Sequence, residues 1–307
     1  MQAGCTAVLT AVTCLLEAAV PLNPSEELKS AGEHVFTNVT GVACTEDGRI
    51  FAACGRTEPI LVLDARHRLL GGFGAGIIRG KHGIRRFGNS LYITDTENHT
   101  VFEFSLGGAL IRTLGTTGRP GCDERTFHMP TDVAMAPDGE LYIADGYGNQ
   151  RIVRLAADGR FLGAWGSKGS GNGEFKIPHN LVFDAHGRLY VADRGNGRIQ
   201  IFERNGAFIG AFATEGEPFT LESLPDDTLL VGFAGSGQHG FARYAIPDGK
   251  CLGIFGEKGD GRGEIITPHA ISRNPATGEW IAGGAGDAKL MFLPPETFQT
   301  ENKKENE

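Results

Sequence analysis

The sequence lacks the cysteine pattern that a disulfide framework or a thiolate metal site would need. Its 307 residues include six cysteines, scattered without C-x-x-C spacing or close pairing: Cys5, Cys14, Cys44, Cys54, Cys122 and Cys251. Disulfide-rich domains and zinc–thiolate sites are recognised by closely spaced cysteines. The spacing therefore predicts reduced thiols, most of them acting as small buried apolar side chains.

An excess of positive charge is also missing. The formal net charge is −8, and no stretch of the chain concentrates Lys and Arg. Proteins that bind nucleic acid carry a basic patch or stripe that neutralises phosphates. The composition therefore argues against a nucleic-acid partner, and we expect none.

The N-terminal stretch "MQAGCTAVLTAVTCLLEAAVPLNPSEEL" is apolar but contains no Lys or Arg before Glu17. A signal peptide has a positive first region, and a membrane span needs about 18 or more apolar residues. Neither interpretation is favoured. We expect a short helical or irregular extension over residues 1–33, no membrane partner, and a cytoplasmic location, with secretion left open.

The sequence does contain many glycines, 46 in all, and a repeated segment. Six segments share a turn, a four-residue apolar run and then a small or acidic residue. Their apolar runs begin at Ile50, Leu91, Leu141, Leu189, Leu229 and Trp280. One short run precedes each turn and two more follow, which gives four strands per repeat. This pattern predicts an all-β, six-bladed β-propeller over residues 34–296, followed by a disordered tail over 297–307.

The start of the first strand carries histidine in alternate blades. In blade order these positions hold Thr40–Gly41, His82, Thr131, His179, Phe219 and His269. First strands line the channel of a propeller, so the three imidazoles should converge on its axis. A single histidine at a channel mouth is usually only a hydrogen-bonded polar group. Three in alternate blades favour a catalytic zinc site with an open coordination position, although iron, manganese or nickel would also suit imidazole.

The end of the second strand opens on the same face of the ring. These positions hold Arg56, Thr96, Tyr147, Arg194, Ala234 and Ala285. The block "DGYGN" of the third blade is one residue longer than "DTEN" and "DRGN", and the additional residue lies beside Tyr147. Functional residues tend to be added where a repeat departs from its pattern. Arg56 and Arg194 do not recur in this column and could clamp a carboxylate, the alternative being ordinary surface arginines. The recurring Asp, Asn and Arg of the turns are predicted to be structural.

Two segments, "PTDVAMAPDGELYIADGYGNQRIV" and "IPHNLVFDAHGRLYVADRGNGRIQIF", carry a specific resemblance. Their turn blocks resemble NHL repeats, and over roughly residues 35–290 the chain resembles the peptidyl-α-hydroxyglycine α-amidating lyases (peptidylamidoglycolate lyases). The resemblance implies a zinc ion bound by three histidines, an active-site tyrosine and two arginines. The matching positions are His82, His179, His269, Tyr147, Arg56 and Arg194.

The chain also departs from that family. Ala270 stands where the family has an aspartate that binds a structural calcium in the channel, so the calcium site is doubtful. Thr267 stands where the family has a methionine before the Pro-His pair. The disulfide cysteines of the family are replaced by His128, Gly148, Tyr190 and Ile201.

The resemblance implies a carbon–nitrogen lyase that cleaves R–CO–NH–CH(OH)–COO⁻ into an amide and glyoxylate. Zinc would lower the pKa of the substrate hydroxyl, Tyr147 would take its proton, and an arginine would hold the carboxylate. Two alternatives stay open: a related lyase or hydrolase for a small molecule such as ureidoglycolate, and a non-catalytic propeller that binds proteins. We expect a small-molecule or peptide-derived substrate with a carboxylate, and a monomeric protein.

Overall fold

The computed structural model describes residues 19–286 and 288–300, which form six four-stranded antiparallel sheets arranged as a six-bladed β-propeller. The chain enters through three short strands: β1 (Glu26–Leu28), β2 (Ser30–Ala31) and β3 (His34–Val35). The helix considered for the N-terminal extension falls mainly on residues 1–18, which lie outside the described residues. The prediction of an all-β, six-bladed propeller is confirmed.

The first five blades each contain four consecutive strands. The first and second blades are β4 (Val42–Cys44), β5 (Ile50–Ala53), β6 (Ile60–Leu63), β7 (Leu69–Phe73), β8 (Lys81–Phe87), β9 (Ser90–Asp95), β10 (Thr100–Ser105) and β11 (Leu110–Leu114). The third and fourth are β12 (Asp132–Met135), β13 (Leu141–Asp145), β14 (Arg151–Leu155), β15 (Phe161–Trp165), β16 (Pro178–Phe183), β17 (Leu189–Asp193), β18 (Arg198–Phe202) and β19 (Phe208–Ala213). A 3-10 turn (Arg194–Asn196) follows β17.

The fifth blade and the sixth complete the ring. Their strands are β20 (Glu217–Leu224), β21 (Thr228–Ala234), β22 (His239–Ala245), β23 (Cys251–Phe255), β24 (Pro268–Arg273), β25 (Trp280–Gly284) and β26 (Leu290–Leu293). The sixth blade takes its fourth strand from the other end of the chain, because β1 pairs antiparallel with β26. Ring closure thus joins the two ends of the propeller.

Two segments outside the boundaries expected from the sequence belong to the propeller. Residues 26–28 form the outer strand of the sixth blade, although the sequence placed them in the extension. Lys289, fully buried, donates a 2.6 Å hydrogen bond to the carbonyl of Gly261 and lies 3.4 Å from Oε1 of Glu27. Phe298, in the expected tail, is 2% exposed and packs on Trp280 at a centroid distance of 5.3 Å.

Apolar side chains fill the space between blades. Six buried clusters each combine residues of two adjacent blades, one cluster for each of the six blade interfaces. This burial supplies the main driving force for the ring and leaves polar side chains along the central axis. Among the described residues, no helix is both long and apolar enough to cross a membrane.

The recurring turn residues have the structural role predicted for them. Asp145 accepts hydrogen bonds from Asn149 at 2.7 Å and from Arg151 at 2.9 Å, and its other oxygen accepts the backbone N–H of His128 at 2.7 Å. Asp193 makes the corresponding contacts in the fourth blade. Each aspartate therefore ties the end of a second strand to the loop that enters the first strand, where the candidate site residues lie.

Three cysteines within the described residues are free thiols: Cys44, Cys54 and Cys122. Burial raises the pKa of both Cys44 and Cys54 to about 12, so these thiols stay protonated and unreactive. For these three residues this agrees with the prediction of reduced thiols, and Cys5 and Cys14 lie outside the described residues.

Candidate metal centre and active site

Local irregularities in the sheets aim the three histidines at the axis. The pairing of β16 with β17 shifts register between Pro178 and Asn180, which leaves His179 as the unpaired residue. His269 occupies the same place in β24, and His82 lies within the corresponding shift of β8. A bulge of this kind bends the strand and redirects a side chain. The repeat thus sets where each histidine lies along its strand, and the bulge turns its side chain toward the axis.

The three imidazoles form a nearly symmetric triangle. Ring centroids are 4.9 Å apart for His82 and His179, 4.8 Å for His82 and His269, and 4.9 Å for His179 and His269. One ring nitrogen from each lies within 4.8 Å of the others, and all three residues are buried. We call this set of His82, His179 and His269 the histidine tripod.

Each tripod histidine is held by the backbone of the next blade. Nδ1 of His82 donates to the carbonyl of Thr131 at 2.7 Å, and Nδ1 of His179 donates to that of Phe219 at 2.7 Å. Nδ1 of His269 donates to the carbonyl of Thr40 at 2.9 Å. Because Nδ1 carries the proton, Nε2 keeps its lone pair.

Burial also keeps the tripod neutral. It lowers the pKa of His269 to about 4, with the charge of Arg194 acting in the same direction. It lowers the pKa of His82 and of His179 well below the ordinary value of 6.5, and neighbouring tripod imidazoles add to the effect. Three neutral imidazoles with free Nε2 lone pairs and fixed Nδ1 protons are a suitable donor set for a divalent metal.

Tyr147 lies directly on the tripod. Its Oη is 3.0 Å from Nε2 of His82 and 3.1 Å from Nε2 of His179. Burial raises the pKa of Tyr147 above 10, although the nearby guanidinium of Arg194 lowers it in part. In this structure the phenol is therefore protonated and can donate to one of the two imidazoles at a time.

The extra residue of the third blade positions this tyrosine. The backbone N–H of Tyr147 donates to the carbonyl of Met129 at 3.3 Å, and that of Gly148 donates to the carbonyl of His128 at 3.0 Å. Gly148 packs so closely on the His128 ring that a Cβ at this position would overlap it. The turn is therefore fixed by the loop that precedes β12.

Arg194 is the second functional candidate that reaches the tripod. Its Nη1 lies 3.4 Å from Oη of Tyr147, and its Nε donates to Glu217 at 3.1 Å. The guanidinium lies over the ring of Phe219 at 4.3 Å from the centroid. These contacts place a fixed positive charge at the open side of the tripod.

Arg56 differs from Arg194. It is exposed at the end of β5, and in the described part of the chain it makes no hydrogen bond or ion pair. The structure therefore brings together five of the six residues proposed from the sequence, and Arg56 is not in contact with the other five.

Sequence reasoning missed two contributors. Phe219 stands in the histidine column, where an apolar residue suggests no role, yet its ring centroid lies 5.5 Å from that of His179 and 5.9 Å from that of His269. Glu217 belongs to no repeated motif, and only the ion pair with Arg194 reveals its place at the site. The signal for Phe219 was its position in the column; Glu217 left no signal in the sequence.

Comparison with known proteins agrees with this architecture. NHL repeats match residues 127–155 and 175–202. Solved structures with the same fold include a virginiamycin B lyase from Staphylococcus aureus with quinupristin, with a TM-score of 0.61, 14% identity and 88% coverage of both chains. The WD40 β-propeller domain of Doa1 gives a TM-score of 0.60 at 11% identity, covering 90% of this chain and 97% of that domain. At these identities the likeness shows the fold alone.

Curated relatives are more similar in sequence. Human NHL repeat-containing protein 3 is 32% identical over 222 residues, which is 67% of this chain and 63% of that protein. Peptidyl-alpha-hydroxyglycine alpha-amidating lyase 2 of Drosophila melanogaster is 33% identical over 222 residues, 70% of this chain and 52% of that protein. Peptidyl-glycine alpha-amidating monooxygenase B of Xenopus laevis is 39% identical over 207 residues, 57% of this chain and 24% of that protein.

The matched region thus covers less than two thirds of the length of each of these relatives. The chain carries NHL repeats and is homologous both to peptidyl-α-hydroxyglycine α-amidating lyases and to NHL repeat-containing protein 3.

Proposed function

We propose that this chain is a metal-dependent carbon–nitrogen lyase that cleaves a carbinolamide, R–CO–NH–CH(OH)–COO⁻, into the amide R–CO–NH₂ and glyoxylate. The observation that carries the proposal is the contact of Tyr147 Oη with Nε2 of His82 and His179, within a buried tripod and beside Arg194. Homology to proteins named as amidating lyases supports the same reaction class.

The tripod fits a divalent metal such as zinc because its three Nε2 lone pairs face one another and its Nδ1 protons are engaged. His82, His179 and His269 would hold the ion. A bound divalent cation supplies positive charge that lowers the pKa of a coordinated hydroxyl group and of the nearby phenol. The remaining chemistry belongs to the side chains of the chain itself.

Tyr147 is the group positioned to move a proton. As a phenolate, stabilised by the positive charges of Arg194 and of a bound cation, it would accept the proton of the substrate hydroxyl at Oη and deliver it to the departing amide nitrogen as the C–N bond breaks. The electron pair of the O–H bond then forms the carbonyl of glyoxylate, and the C–N electron pair leaves with the amide. The departing amide nitrogen is far more basic than a phenolate, so the phenol formed in the first transfer would return the proton, and one residue would serve both transfers.

Arg194 would bind the carboxylate of the substrate. Its planar fork accepts a carboxylate in two parallel hydrogen bonds, and its charge would offset the negative charge that develops during cleavage. The guanidinium of Arg194 stacks on the ring of Phe219, so the orientation of the guanidinium is set before substrate arrives. Arg56, which is exposed, would reach the site only if substrate draws its side chain inward.

The proposal is tested by measuring glyoxylate release from an N-acyl-α-hydroxyglycine and from ureidoglycolate, on protein whose metal content has been determined. Both substrates contain the N–CH(OH)–COO⁻ unit, so preference between them identifies the leaving group. Metal-dependent glyoxylate release from the acyl compound supports the proposal. Preference for ureidoglycolate would assign the small-molecule alternative, and metal-loaded protein without activity on either would favour an interaction propeller.

A further inference from the structure

The channel beneath the tripod contains an arginine that the proposed reaction does not use. Arg85 follows His82 by three residues on β8, and its side chain is 16% exposed. Its guanidinium makes a two-point contact with Asp132, from Nε to Oδ1 at 3.1 Å and from Nη2 to Oδ2 at 2.9 Å. Nη2 also donates to Oδ1 of Asn180 at 2.7 Å. Two of the three guanidinium nitrogens, Nε and Nη2, thus donate to oxygen atoms.

Further oxygens surround the same guanidinium. The carbonyl oxygens of Leu181 and Leu221 lie 3.4 Å and 3.5 Å from Nη2. Oε2 of Glu222 lies 3.8 Å from Nη1. Arg85 comes from the second blade, and these partners come from the first strands of the third, fourth and fifth blades. One cation therefore links four of the six blades.

The backbone holds these oxygens in place. Oδ2 of Asp132 accepts the N–H of Leu181 at 3.0 Å, and Oδ1 of Asn180 accepts the N–H of Leu221 at 2.9 Å. Carboxylate, amide and carbonyl oxygens grouped in this way are the ligands that calcium takes in proteins. Here the cation among them is a guanidinium.

A structural calcium, which the resemblance implies for this channel, does not fit the residues present. Ala270, 2% exposed, supplies a methyl group where that ion would need a carboxylate. The cavity that His269, Ala270 and Arg85 border measures about 20 Å³, room for about one water molecule. The positive guanidinium would also repel a divalent ion there. The side-chain oxygens of Asp132 and Asn180, which could bind such an ion, already accept hydrogen bonds from Arg85.

We propose that Arg85 is the built-in cation of this channel, taking the place of a bound calcium ion, so that the propeller folds and functions without calcium. The same side chain also borders a separate cavity of about 680 Å³ at the opposite mouth.

The experiment measures calcium content and thermal unfolding of the full chain. Wild-type protein purified without added calcium should contain no stoichiometric calcium, and millimolar CaCl₂ should not change its Tm. Arg85→Ala removes the guanidinium and leaves Asp132 unpaired, so its Tm should fall by about 5 to 15 °C. CaCl₂ but not MgCl₂ should restore part of that loss, because the freed oxygens suit calcium.

Arg273→Ala is the matched control, since this arginine lies at the same mouth and, among the described residues, donates to the carbonyl of Gly278 and stacks on Trp280. Its Tm should change little and should not respond to calcium. If Arg85→Ala does not fold, Arg85→Lys keeps the charge without the fork and should show a smaller loss of Tm than the loss expected for alanine. Calcium bound to the wild-type chain, a calcium-dependent wild-type Tm, or an Arg85→Ala protein as stable as wild type would each overturn the proposal.

Discussion

His179 donates its Nδ1 proton to the backbone carbonyl of Phe219, which is the residue at the same position of the next blade, at 2.7 Å. His82 and His269 make the same kind of contact with their next blades. The direction of each imidazole therefore depends on the spacing between blades. A cation bound by all three would in turn stabilise the closed ring, since binding to the folded state adds to its stability.

The tripod is tested by replacing one of its members. His179→Ala should lose stoichiometric metal and nearly all glyoxylate-releasing activity, because two imidazoles remain where a three-histidine site is needed. The measurement is metal per chain together with turnover. His186→Ala is the control: this histidine is exposed in the same blade and pairs with Asp227, so its removal should leave both values unchanged. Full metal content in His179→Ala would refute the proposed centre.

Tyr147→Phe separates metal binding from proton transfer. The variant should keep the metal, because the phenol is not among the three donors, and turnover should fall by about 10²- to 10⁴-fold, the usual contribution of a positioned acid or base. Metal analysis and kcat on the same preparation give the answer. A variant with full metal and undiminished kcat would remove the tyrosine from the mechanism.

Arg194→Lys tests carboxylate recognition. Lysine keeps the charge but lacks the planar fork, so KM should rise by about tenfold or more while metal content is unchanged. Steady-state kinetics with the acyl substrate measure this effect. Arg188→Lys provides the comparison, since that arginine, in the same blade, pairs with Asp184 away from the tripod; its KM should match wild type. Equal KM values in all three proteins would argue against a carboxylate clamp at Arg194.

Glu222 should make stability depend on pH. Burial raises its pKa from 4.5 to about 7, although Arg85 acts in the opposite direction. The folded state therefore holds this proton more tightly than the unfolded state, and the stabilisation present below about pH 4.5 is lost as pH rises to about 7. Glu222→Gln should be more stable than wild type at pH 8 by about 1 to 3 kcal/mol, and the difference should shrink at lower pH. Denaturant unfolding at several pH values measures it; a difference independent of pH would contradict the assignment.

Much of the fold and site followed from the repeat. Because strand position and side-chain direction are set locally, the six blocks were sufficient to predict the blades and to place His82, His179, His269 and Tyr147 at one mouth. The recurring Asp, Asn and Arg could be assigned to turns for the same reason. These features depend on sequence neighbours and on the symmetry of the ring.

Other features depend on contacts between distant segments, which no local pattern records. The pairing of residues 26–28 with β26 closes the ring across almost the whole chain. Arg85 reaches Asp132, Asn180 and Glu222 through a long flexible side chain, and Arg194 meets Glu217 and Phe219 in the next blade. The sequence by itself determined the six-bladed scaffold and the histidine column. Only the tertiary structure decided that Arg194 lies at the tripod, that Arg85 fills the channel and that β1 closes the ring. These outcomes depend on long side chains and strand pairs that meet only after folding.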